Sequence, residues 1–195
     1  MNDWCKSSQP PKFSNVLAAC AMLALVACAE EDPQKYVQEG RGLFEKGDME
    51  SARVQFKNAL QAQPKLTEAY YGLALIDERS QDWKTMFANL QEAVTINPNY
   101  VEAQIKLGQI FMLSGELDKA REKANLVNRL APDDLAVWVF EGALLLREGK
   151  KADALVMADR VLAKEPAHVD ASGLKASILA TEKNFSEALA VLSRS

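Results

Sequence analysis

Four prolines constrain this chain more than anything else in it. Pro64, Pro98, Pro132 and Pro166 follow one another at intervals of 34 residues. A fixed period of this size marks an array of stacked supersecondary units, each touching mainly its neighbours. Residues 101–134 show the unit in its regular form. Two short amphipathic helical patterns are joined by a turn at Gly115-Glu116, and the second pattern closes on Pro132. Because proline pushes the residue before it out of the helical region, each proline predicts the end of a second helix.

Aligned on the prolines, the units are 33–66, 67–100, 101–134, 135–168 and an incomplete 169–195. Small residues recur where two helices must cross closely. The eighth positions are Gly40, Ala74, Gly108, Gly142 and Ala176. The twentieth are Ala52, Met86, Ala120, Ala154 and Ala188, and the twenty-seventh begin with Ala59 and Ala93. Bulky residues alternate with them, as in Tyr36, Tyr70 and Trp138 at the fourth position and Phe56 and Leu90 at the twenty-fourth. Gly47, Gly115 and Gly149 stand where a helix ends in a left-handed conformation. Gln81-Asp82 and Lys183-Asn184 replace that glycine, and asparagine tolerates the conformation.

In period and in these small positions the chain resembles the tetratricopeptide repeat, over all but the first 32 residues. The resemblance implies an all-α fold, a solenoid of about five helix-turn-helix repeats wound as a right-handed superhelix. Two departures stand in the second unit, where Asp77 takes an otherwise apolar eleventh position and Met86 replaces alanine. The simpler reading is that helix 67–80 rotates and Asp77 reaches solvent. The sharper one is a partly buried carboxylate paired with a base. Either way this unit is expected to be distorted. At the other end, Phe185, Ala188, Leu189, Val191 and Leu192 form an apolar face that a polar capping helix would normally cover. Either the array continues, the reading preferred here, or that face docks on a partner.

The first 32 residues differ from the rest. Lys6 and Lys12 precede an apolar run at 16–27, too short to span a bilayer as a helix but matched to the core of a secretory signal peptide. The run closes on Leu25, Val26, Ala27 and Cys28, which resembles the lipobox of bacterial lipoproteins. That resemblance implies a signal peptide at 1–27, cleavage before Cys28, and acylation of Cys28 by diacylglyceryl and an amide-linked chain such as palmitate. Several acyl chains anchor a protein stably where one does not. Ala29, in place of aspartate, implies sorting to the outer membrane, with the array facing the periplasm. Residues 28–32 would be the lipidated cysteine and a short tether, the four residues 29–32 reaching about 15 Å. Asp32-Pro33 then reads as a helix start, with aspartate as cap and proline in the first turn.

Catalytic signatures are missing. The chain has one histidine, His168, which reads as an exposed turn residue, and its three cysteines all fall within the first 28 residues. No metal-binding, phosphate-loop or nucleophile-elbow pattern occurs, and no cofactor is implied. Asp133-Asp134 suits a helix start. A net charge of −4 without a basic run argues against nucleic acid.

The repeat resemblance instead implies a groove lined by the second, fifth, ninth and twelfth positions of each first helix. The fifth positions are Val37, Tyr71, Ile105 and Val139. The ninth are Arg41, Leu75, Gln109 and Ala143, and the twelfth are Phe44, Glu78, Met112 and Leu146. This mostly apolar lining suits an amphipathic helix or an extended apolar peptide. The Lys and Asn set that clamps a C-terminal carboxylate in one variant of the family is not matched at Val37, Arg41 or Gly72.

The expected function is therefore a non-catalytic interaction scaffold, lipid-anchored in the envelope, that binds a protein or peptide for a secretion, polysaccharide-export or envelope-assembly system. The stretch Lys57-Asn58-Ala59-Leu60 looks like the repeat lipoproteins that accompany exopolysaccharide and PEP-CTERM protein-sorting systems. A soluble cytosolic adaptor is the alternative, and a carboxylate-based glycan-acting enzyme a remote third.

Overall fold

The structure is a computed structural model and describes residues 32–194. The segments read as signal peptide, lipobox and most of the tether lie outside the described residues, as does Ser195. The described residues form ten helices and no strand. In order they are α1 (Pro33–Glu45), α2 (Met49–Ala62), α3 (Thr67–Arg79), α4 (Trp83–Ile96) and α5 (Val101–Leu113). Then come α6 (Leu117–Leu130), α7 (Leu135–Arg147), α8 (Lys151–Lys164), α9 (Val169–Thr181) and α10 (Phe185–Leu192). None is long and apolar enough to cross a membrane. Consecutive helices pair within each unit, and each unit packs on the next, giving the tetratricopeptide-type solenoid.

Local chemistry sets the boundaries. Asp32, Asp48, Asp82 and Asp134 cap α1, α2, α4 and α7, each accepting a backbone N–H of the first turn at 2.7–3.1 Å. His168 caps α9, its Nδ1 accepting from the Ala171 N–H at 3.4 Å, so it belongs to the helix start. The residues before the four prolines, Gln63, Asn97, Ala131 and Glu165, close the second helices with φ between −130° and −141°. The turns within units carry φ of 80–82° at Gly47, Gly115 and Gly149. In the other two units Gln81 and Lys183 take φ of 60° and 64°, in the same register. Asn184, expected to absorb that conformation, caps α10 at φ −87° instead. The repeat fixes the turn geometry, and whichever residue stands there adopts it at a cost of about 1–2 kcal/mol.

The core runs through the stack as linked apolar clusters. Ala52, Ala59, Ala93, Ala120, Ala124, Ala154 and Ala158 are all sealed where paired helices cross. The fourth position has an unforeseen role. Trp138 Nε1 donates to the Pro132 carbonyl at 2.7 Å, and Gln104 Nε2 donates to the Pro98 carbonyl at 2.7 Å. Two unlike side chains thus tie the head of one unit to the proline turn of the one before.

Units are also keyed together between first helices. Phe140, at the sixth position of unit four, sits where a Cβ on Gly108 would stand, only 2.2 Å from its Cζ. Leu174 takes the same place over Gly142, with 2.7 Å to its Cδ2. Between units one and two the ring of Phe56 fills the space left by Gly40 and Gly72. The seam between units two and three is different. Its sixth position is Lys106, whose ammonium reaches back to both carboxylate oxygens of Glu78 at 2.7 Å. The first helices α3 and α5 are also less closely apposed than those at the other seams.

Asp77 does not reach solvent. It is 1% exposed, accepts from Arg53 Nη1 of unit one at 2.7 Å, and accepts from Asn89 Nδ2 of α4 at 2.7 Å. The sharper of the two sequence readings is the correct one. The irregular residues of this unit do not shorten its helices, since α3 and α4 have the same lengths as their counterparts. A charge that brings its own partners can replace the usual leucine without interrupting the helix. At the far end, Ala188 and Val191 are buried against α9, so the exposed apolar face narrows to Phe185, Leu189 and Leu192.

Candidate functional site

The first helices place part of the predicted groove in one concavity. A pocket of about 320 Å³ opens across units one to three. Arg41, Phe44 and Glu45 come from α1, and Glu68, Tyr71, Gly72 and Leu75 from α3. Tyr100 and Glu102 come from the head of α5, and Phe56 forms part of the floor. Tyr71 and Tyr100 meet edge to face, with ring centroids 5.4 Å apart and planes at 66°. Such pairs hold their geometry through the ring quadrupoles. Arg79 lies over the Phe44 ring, 5.5 Å from its centroid.

Burial dominates the chemistry of the two phenols, and the surrounding charges add to it. Burial pushes the Tyr71 hydroxyl well above the usual tyrosine range, helped by Tyr100 and by the carboxylates of Glu102 and Glu78, with Arg41 opposing. Burial also raises Tyr100, to about 12; Glu102 and Glu68 add to it, and Arg41 opposes through its charge and a hydrogen bond to the hydroxyl. Both phenols therefore stay neutral at any physiological pH.

The sequence-predicted lining divides. Arg41, Tyr71 and Leu75 meet in this pocket, joined by Phe44. Glu78 is engaged by Lys106 and serves the seam. Gln109, Met112, Val139 and Leu146 lie further along the array, half-buried and outside this pocket. Val37 and Ile105 are not groove residues. They are 1% and 7% exposed and belong to the clusters that join their units to the next. At these two fifth positions the side chain packs against the next unit, whereas Tyr71 at the same position of unit two opens on the pocket. Glu45, Glu68, Tyr100 and Glu102 were missed. For two of them the signal was available, since Glu68 and Glu102 hold the second position of successive units.

Among the described residues no group of three or more His, Cys, Asp or Glu is arranged to hold a metal ion. What the pocket offers is apolar wall, aromatic edge and unpaired charge, the makings of an interaction surface. By fold the described residues form a tetratricopeptide-repeat solenoid.

Comparisons with known proteins agree at that level. The tetratricopeptide repeat family profile matches residues 141–195. No curated protein matches the chain. Among solved structures, PilF of Pseudomonas aeruginosa is similar at 18% identity and a TM-score of 0.68, covering 83% of this chain and 75% of its own. TTC0263, a thermophilic repeat protein of Thermus thermophilus, is similar at 20% identity and 0.70, covering 82% and 87%. YrrB, described as a repeat protein with an unusual peptide-binding site, is similar at 20% and 0.58, covering 90% and 89%.

Proposed function

We propose that this chain is a non-catalytic scaffold that holds a peptide or helix of a partner protein in the groove of its first helices. The pocket across units one to three carries this reading. It is large enough to seat a bulky side chain and its walls are chiefly apolar and aromatic. The peptide-binding site described for YrrB, a solenoid of similar fold, supports it.

Partner capture on the immobilised full chain tests the reading. Leu75→Asp places a carboxylate in the pocket wall at a half-buried surface position, where it leaves the core intact. Proteins held by the unaltered chain are expected to be lost from this variant, while its helical content stays unchanged. Retention of the same partners at the same yield would remove the groove from the account.

We further propose that the array works at the bacterial envelope, anchored through acylated Cys28 at the outer membrane and serving secretion, polysaccharide export or envelope assembly. The run at 16–27 followed by Leu25-Val26-Ala27-Cys28 motivates this. With several acyl chains attached, membrane partitioning is effectively complete. Cys28→Ala is expected to move the protein from the membrane to the soluble fraction and to abolish palmitate labelling. Equal membrane recovery of the variant would sink the anchor.

A further inference from the structure

The pocket carries an imbalance that the apolar reading of the groove leaves unused. Glu45, Glu68 and Glu102 stand on its rim, and none of the three forms an ion pair among the described residues. Glu78, just beyond, differs in being taken up by Lys106. Arg41 is the one base lining the pocket. Arg79 lies over Phe44, so a wall of this pocket already accepts a guanidinium on an aromatic ring. Three carboxylates against Arg41, or against Arg41 and Arg79 together, leave a net negative rim around an aromatic interior.

We propose that this pocket receives a basic side chain, arginine above all, presented by the partner between bulky apolar residues. The inference rests on reading the groove as the partner-binding surface and adds what that partner must display. An arginine can lay its aliphatic stem and planar guanidinium along Tyr71, Tyr100 and Leu75 while its N–H groups reach the rim carboxylates. Lysine offers the charge without the plane. An acidic segment meets three like charges at the mouth. Complementary rim charge sets partner choice and the rate of encounter more than total affinity, and it is screened by salt.

The test uses the full chain and fluorescein-labelled peptides of sequence Ala-Leu-Xaa-Leu-Ala, with arginine, lysine, citrulline or glutamate in the centre. Citrulline keeps the shape of arginine and removes its charge. At low salt the arginine peptide is expected to bind about tenfold tighter than the citrulline peptide, as three modest exposed pairs allow. Lysine should fall between them and glutamate last. The double variant E68Q/E102Q should bring the arginine and citrulline peptides within about threefold of one another, and high salt should do the same. Equal binding of the two, a preference for glutamate, no binding of any peptide, or an arginine advantage that survives in the double variant each overturns the proposal. If partner capture is lost on Leu75→Asp while no charge preference exists, the groove stands and only the basic anchor falls.

Discussion

Asp77→Ala should destabilise the array by about 3–5 kcal/mol, among the largest effects available from a single side chain here. The carboxylate is fully buried, and both of its oxygens accept at 2.7 Å. Removing it leaves the Arg53 guanidinium three-quarters buried with no counter-charge, and leaves the Asn89 amide without its acceptor. The penalty comes from that stranded charge more than from lost attraction. Chemical unfolding followed by helical signal measures it. A loss under about 1 kcal/mol would show that water replaces the carboxylate freely. The companion experiment replaces both charges. Units one, three, four and five carry Leu43, Phe111, Leu145 and Leu179 at this position. Asp77→Leu with Arg53→Met should therefore recover most of the stability, since an apolar pair avoids the desolvation that the ion pair must overcome.

Gly108→Val is the second large effect. A Cβ there would lie 2.2 Å from Phe140 Cζ, 2.9 Å from its Cε1 and 3.1 Å from Lys123 Cβ. Phe140 is sealed in the core between units three and four and has nowhere to swing. Overpacking of this kind costs about 3 kcal/mol, outweighing the gain of about 0.4 kcal/mol in helix propensity when valine replaces a helical glycine. Gly42→Ala supplies the control, because nothing lies within 4 Å of a Cβ at Gly42; it should be neutral or slightly stabilising. Combining Gly108→Val with Phe140→Ala should cost less than the two losses added, since each change makes room for the other. Strict additivity would mean that the two side chains do not share the space.

The period of the prolines was enough to place the helix boundaries in kind, because proline and the turn glycines act on the backbone locally. Packing between units was less legible. Val37 and Ile105 look like groove residues when one helix is drawn alone, and only the neighbouring helix shows that their face is covered. The partners of Asp77 lie 24 and 12 residues away in sequence. One-dimensional periodicity cannot say whether such a group will find them. Arg41, Tyr71 and Leu75 were found because the ninth position and the unit-two fifth position do open on the pocket. Glu68 and Glu102 were legible in principle, at matched positions of adjacent units, but their significance depends on the aromatic walls that Tyr100 completes.

A row of stacked units bends where neighbouring units grip each other least. Three seams of this array set a ring or a leucine into a glycine notch. The seam between units two and three shares the buried cluster of Ala74, Leu90, Ala103 and Leu107, but its first helices meet through the Lys106–Glu78 pair, partly in water, in place of a notch. Such a pair contributes less than a buried ring and weakens with salt. The pocket lies across that same seam, with Tyr71 on one side, Glu102 on the other and Tyr100 at the junction between them. On the proposed function, a guest lodged there would act as a splint, and its affinity and the stiffness of the rod would be two measures of one coupling.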